Sequence, residues 1–177
     1  DPLQRMLDYD YVCRREPSVI GIVNSARAGW HKVFWGGKEI VIPVYRRLSE
    51  APRAEVLINF ASARSAVPVV MEVLKYGSFK CIVVVAEGIP ERQAGIMAVK
   101  ARQQGVMIIG PATVGGLRAG AFRIGNTGGS IENIVAAKLY RPGSVGLVSR
   151  SGGMLNEMFN IISKETDGVV EGIQIGG

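Results

Sequence analysis

The sequence has 177 residues, 47% of them hydrophobic and 20% charged, with 23 glycines, 8 prolines and a net charge of +6. A chain of this size buries roughly 70% of its surface on folding, enough for a core without disulfide or metal staples, and its glycine and proline together stay below the roughly 25–30% of low-complexity chains. Cys13 and Cys81 stand far apart with no CxxC spacing, no apolar run reaches the ~18 residues of a membrane span, and the opening DPLQRMLDYDY carries acids where a leader peptide is basic; this argues against a disulfide framework, a zinc site or a membrane segment and predicts a soluble, cytoplasmic chain.

In chain order, SVIGIVN (18–24) reads as a strand and KVFWGGKEIVIPVYRRL (32–48) as a strand or hairpin broken at Gly36-Gly37. EVLINFA (55–61) is a short apolar run, and after it Ala66, Val69, Val70, Val73 and Leu74 recur at helical spacing up to Gly77. CIVVVAEG (81–88) is rich in β-branched residues, as a strand covered on both faces is. Pro90 opens a helix through Gln104 with Gly105 closing it, and VMIIG (106–110) is a third apolar run. Strand and helix alternating through short links predict an α/β fold, a doubly wound, Rossmann-like, mostly parallel sheet. LRAGAFRIGNTGG (117–129) reads as a hairpin or extended excursion, RPGSVGLVSRSGGMLNEMFNIISK (141–164) as another strand, turn and helix, and VVEGIQIGG (169–177) as the start of a further strand. Pro142-Gly143 marks a junction, dividing residues 1–141 from 142–177, the opening of a second α/β domain.

In open parallel sheets, ligands bind beyond the carboxyl ends of the strands, and three predicted strand exits carry unusual residues. Ala61-Ser62-Ala63 is small enough for a ligand to approach the backbone, or is a plain strand-to-helix turn. Glu87, in EGIP, is a carboxylate at the end of an apolar strand, either a surface residue or a positioned acid/base. GPATVGG (110–116) exposes peptide groups. The strongest local signal is SVGLVSRSGGM, where Ser149, Ser151, Gly152 and Gly153 separate a strand from a helix beginning near Met154. Backbone N–H groups, a hydroxyl and the helix dipole there converge on an anion; a serine N-cap with a flexible turn explains the same pattern. His31 is the only histidine, which excludes a multi-histidine metal site, and it reads as a loop or packing residue. Arg64 reads as solvated, and Met154, Met158 and Ile161 as the core stripe of the last helix. No basic cluster is longer than a pair, so the positive charge suits an anionic small molecule or a solvated surface better than nucleic acid.

EGIPE, GPATVGG, IGNTGG and RPGSVGLVSRSGGM, in this order, together with LDYDYVCRR, WGGKEIVIPV, EVLINFASARSA and TDGVVEGIQIGG, resemble the ligase-type half of the ATP-citrate lyases, within the wider succinyl-CoA synthetase α-subunit family. The resemblance implies a CoA-binding domain over 1–141, lacking the family's first strand and glycine turn, and the opening of a flavodoxin-like ligase domain over 142–177. It implies that Phe60, Ala61 and Ser62 and Val85, Ala86 and Glu87 line the CoA groove, with Glu87 able to orient or deprotonate the thiol or to meet the citryl group. Ser151, Gly152 and Gly153 match the helix start that holds the migrating phosphoryl group, and Asn156 matches a substrate-contacting position on the citrate side. In that family ATP phosphorylates a histidine, the phosphoryl group passes to citrate, and CoA gives citryl-CoA, which is cleaved to acetyl-CoA and oxaloacetate. The phosphohistidine of that family lies beyond residue 177 and His31 does not match it. ATP and Mg2+ would be bound by other domains of a homo- or hetero-oligomeric enzyme whose further parts are the remaining ligase, ATP-grasp and citrate synthase-like modules, and the isolated segment would be inactive. A citryl-CoA synthetase, another succinyl-CoA synthetase-like ligase and a non-catalytic CoA-binding regulatory module stay open.

Overall fold

The structure, a computed structural model, describes residues 1–176. Helix α1 (Pro2–Val12) begins at Asp1, whose carboxylate accepts the Leu3 N–H at 2.9 Å, and proline follows at the position where its missing N–H costs nothing. Strands β1 (Ile22–Val23), β2 (Gly29–Trp35) and β3 (Lys38–Tyr45) form the first sheet, with β2 and β3 antiparallel across Gly36-Gly37 and β1 parallel to β3. Gly36 takes φ +58 and lies under the Tyr11 ring, where a Cβ would come within 2.4 Å of Cζ, so the turn admits no side chain. Leu7 of α1 packs on Val33 and Ile42 of this sheet.

A short 3-10 turn at Leu48–Glu50 leads to β4 (Val56–Asn59), α2 (Ala63–Leu74), β5 (Cys81–Val84), α3 (Glu91–Gln103) and β6 (Met107–Ile109). These strands make the expected parallel sheet in the order β4-β5-β6. All four β5 residues are buried, because both faces are covered. Ile82 and Val84 meet Ala66, Val70 and Val73 of α2 and Met97 and Ala101 of α3, while Cys81 and Val83 meet Ile109 and Ile124 on the other side. Burial of each such aliphatic side chain contributes about 1.5–3 kcal/mol. Pro90 sits at the cap of α3, one residue before the helix, and Gly105 at φ +69 follows its end.

The remaining elements are β7 (Gly116–Arg118), β8 (Phe122–Arg123), α4 (Ile131–Ala136), β9 (Val145–Ser149), α5 (Gly152–Glu165) and β10 (Val169–Gln174). They form a four-stranded sheet ordered β8-β7-β10-β9, with β10 parallel to β9 and antiparallel to β7. Residues before and after Pro142-Gly143 thus share one sheet and one core, in which Tyr9, Leu117, Ile134 and Leu139 surround Leu155 and Phe159. The core stripe of α5 is Leu155, Phe159 and Ile162, not the expected Met154, Met158 and Ile161. Met154 and Ile161 are exposed and Met158 is only partly buried, because α5 turns its leucine and phenylalanine face to Gly172 of β10. No helix among the described residues is long and apolar enough to cross a membrane.

Candidate functional site

The register of the parallel sheet pairs Asn59 with Val84 and Val83 with Ile109, so the three strands end side by side. Their exits are Phe60-Ala61-Ser62, Val85-Ala86-Glu87 and Gly110-Pro111-Ala112. Pairing continues past the strands: Val85 N–H donates to Asn59 O at 3.1 Å, and Ala112 N–H donates to Ala86 O at 2.9 Å. Asn59 shapes the first exit. It is buried, its Nδ2 donates to Ala66 O of α2 at 2.9 Å, and its Oδ1 accepts the Ala61 N–H at 3.0 Å.

Three of the expected groove residues are open to solvent here: Phe60 is 54% exposed, and Ser62 and Glu87 are exposed, while Ala61, Val85 and Ala86 are half-buried. Ser62 stands at the cap of α2 without a side-chain cap bond; its Oγ lies 3.5 Å from Ser65 Oγ. Arg64 is exposed, and His31 sits on β2 with Nε2 3.6 Å from an Asp1 carboxylate oxygen, in the first sheet rather than at the parallel strand ends. No cluster of three or more metal-ligating side chains occurs among the described residues.

The SRSGG turn follows β9. Ser149 Oγ donates to Ser151 O at 2.9 Å and accepts the Ser151 N–H at 3.1 Å, which folds the turn on itself. Ser151 caps α5, its Oγ accepting the Met154 N–H at 3.3 Å. The helix therefore starts at Gly152, two residues before Met154, because the serine cap draws both glycines into the first turn. The N–H groups of Gly152 and Gly153, in the first turn, have no intrahelical acceptor. Asn156 lies one turn further on, where its Oδ1 accepts the Gly128 N–H at 2.9 Å.

Between the strand exits and this turn lies the GPATVGG loop, which touches both. It is bonded to Ala86 through Ala112, and a Cβ on Gly152 would meet the Val114 methyls at 3.1 Å. Gly110 at φ +99, at the head of the cis Gly110-Pro111 bond, lies so close to β5 that a Cβ would be 2.4 Å from Val84 O. Gln174, at the end of β10, ties the loop to the turn: Nε2 donates to Ala112 O at 3.0 Å and to Arg150 O at 2.8 Å, and Oε1 accepts the Val114 N–H at 2.5 Å. Thr127 Oγ1 donates to Val114 O at 3.1 Å, and Asn133 Nδ2 donates to Gly128 O at 2.8 Å, fixing the NTGG turn against the same loop. Asn59, Thr113, Thr127 and Gln174 were not picked out by the sequence, whose only hint of them is a polar residue at the end of an apolar strand or inside a glycine turn.

The fold and these loops define an α/β segment in which one glycine-rich loop joins the parallel strand ends to a serine-capped helix start. No protein-family model matches the chain. It is 54% identical over 181 residues to the probable ATP-citrate synthase subunit 1 of Schizosaccharomyces pombe, covering 99% of this chain and 29% of that protein. The solved ATP citrate lyase of Methanothrix soehngenii, in complex with citrate and coenzyme A, is 58% identical and superposes with a TM-score of 0.97 over 99% of this chain and 29% of its own. A Methanosaeta concilii ATP citrate lyase in complex with (3S)-citryl-CoA matches equally well. The chain belongs to the ATP-citrate synthase (ATP citrate lyase) family and spans less than a third of the length of these relatives.

Proposed function

We propose that this chain is the CoA-binding and phosphoryl-site portion of an ATP-citrate lyase, in which ATP and CoA drive conversion of citrate to acetyl-CoA and oxaloacetate. The observation that carries the reading is the GPATVGG loop, bonded to Ala86 beside Glu87 on one side and seated against Gly152 on the other. A thioester-forming ligase needs that juxtaposition, since thiol and activated acyl group must meet. Phe60, Ala61, Ser62, Val85 and Ala86 would line the pantetheine groove. Glu87, open to solvent, would orient or deprotonate the thiol. Gly152 and Gly153 would hold the phosphoryl group on their N–H groups, with Ser151 supplying its hydroxyl, where the helix dipole favours negative charge. Asn156 would offer Nδ2 to citrate, its Oδ1 being held by Gly128. Residues 1–141 would form the CoA-binding part and those from 142 the opening of the ligase part, with ATP and Mg2+ held by further modules of an oligomeric, cytoplasmic enzyme.

The test is Glu87→Gln in the full-length enzyme. Loss of a general base lowers turnover by about 100-fold or more, while calorimetric titration shows CoA affinity changed by less than about threefold, because the groove is intact. No CoA binding by the wild type, or normal turnover by Glu87→Gln, overturns the corresponding assignment.

A further inference from the structure

Thr113 and Gln174 are two of the few polar side chains buried in this chain, at 2% and 5% exposure. The polar atoms of both are engaged. Thr113 Oγ1 donates to Gln174 O at 2.5 Å and accepts the Gly115 N–H at 2.9 Å, and Gln174 N–H donates to Gly115 O at 2.9 Å. The Gln174 carboxamide uses both Nε2 protons and Oε1 on Ala112 O, Arg150 O and Val114 N–H. The next residues continue the contact: Ile175 N–H donates to Ser149 O at 3.0 Å, and a Cβ on Gly176 would fall 2.1 Å from Pro111 O.

These bonds converge on two loops whose other sides carry the candidate ligand groups. Ala112, held by Gln174, is itself bonded to Ala86, the neighbour of Glu87. Arg150, held by the same Nε2, is the residue before the Ser151 cap. We propose that Thr113 and Gln174 form a latch that fixes the distance between the thiol side and the phosphoryl side of the site, acting as positioning residues for attack of CoA on the activated acyl group. The inference rests on the function proposed above.

The reason for such a latch is geometric. Bimolecular attack within a site requires the reacting atoms at about 3–3.5 Å, and a slack of 1 Å costs roughly 100-fold in rate. Ala112 and Arg150, on two loops 38 residues apart in the chain, hold that tolerance only if something rigid joins them. A buried carboxamide with its hydrogen bonds saturated is suited to this, since moving either loop breaks one of them.

The experiment compares Thr113→Ser, Thr113→Val, Gln174→Met and Gln174→Glu in the full-length enzyme. Valine at 113 and methionine at 174 keep the volume and remove the hydrogen bonds; they lower kcat by about 10- to 100-fold, while KM for CoA and citrate stays within about threefold. Thr113→Ser retains the hydroxyl and restores kcat to within about threefold of wild type. Gln174→Glu, isosteric, falls below Gln174→Met because its carboxylate faces two carbonyl oxygens. Phosphorylation of the enzyme by ATP without CoA proceeds at the wild-type rate in all four variants. Retention of kcat by Thr113→Val and Gln174→Met overturns the latch, as does a loss in which phosphorylation and turnover fall in proportion, the mark of misfolding alone. A wild type with no citrate-dependent consumption of CoA overturns the function itself and the latch with it.

Discussion

Tyr9 is wholly buried, yet its hydroxyl meets three backbone groups from two distant segments: it accepts the Gly120 N–H at 2.9 Å and faces Leu139 O at 2.9 Å and Arg118 O at 3.1 Å. Burial pushes its pKa well above the ordinary tyrosine value, so the phenol stays a neutral donor at physiological pH. Tyr9→Phe removes one oxygen, but the Gly120 N–H still donates to Leu139 O at 3.2 Å and the Ala121 N–H to Arg118 O at 2.9 Å, so the loss is that of a hydrogen bond rather than of a stranded group and costs about 0.5–1.5 kcal/mol. Urea unfolding of the two chains is the measurement, and equal midpoints at equal slopes would show the hydroxyl to be dispensable. The same logic explains why the residues of the latch were invisible in the sequence. Glu87 and Ser151 stand out locally, as a carboxylate after an apolar run and a serine before paired glycines. Thr113 and Gln174 acquire their meaning from partners 61 and 24 residues away.

At the scale of elements, α2 was legible from its helical apolar stripe and β5 from a continuous apolar run, because α2 buries one face while β5 is covered on both. The α5 stripe was misplaced by one residue, since Met154, Met158 and Ile161 fit a helical period as well as Leu155, Phe159 and Ile162 do. What decides between them is a strand beyond the helix. Gly172 on β10 leaves room for the Phe159 ring, so closely that an added Cβ would lie 2.3 Å from its Cε1. Gly172→Ala forces the ring or the strand to move and costs about 1–3 kcal/mol by overpacking. Phe159→Leu in the same chain makes room for the new methyl, so the two changes are less than additive. Additive losses in thermal melts of the single and double variants would place the strain elsewhere.

At the scale of the whole molecule, three sheets are joined through shared packing rather than through one continuous ladder. Helix α1 contacts β2 on one side and β8 on the other, while Ile124 and Ile173 of the mixed sheet cover the face of the parallel sheet that α2 and α3 leave open. The parallel sheet follows from alternating apolar runs, whereas the insertion of β10 between β7 and β9 depends on non-local strand pairing that no short motif encodes. That order places β9 at a sheet edge, with a neighbour on one side only among the described residues. Its Val148 is 64% exposed and lies in register with Ile173, on the same face. An edge strand with free backbone groups and an exposed β-branched residue is a template for pairing with another strand. The 177-residue chain therefore self-associates through β9 as its concentration rises, and Val148→Lys suppresses this without lowering the melting temperature, because the side chain already lies in water. Sedimentation velocity over a range of concentrations reads the outcome directly: a wild type that stays monomeric, or a lysine variant that associates as strongly, removes β9 as the contact.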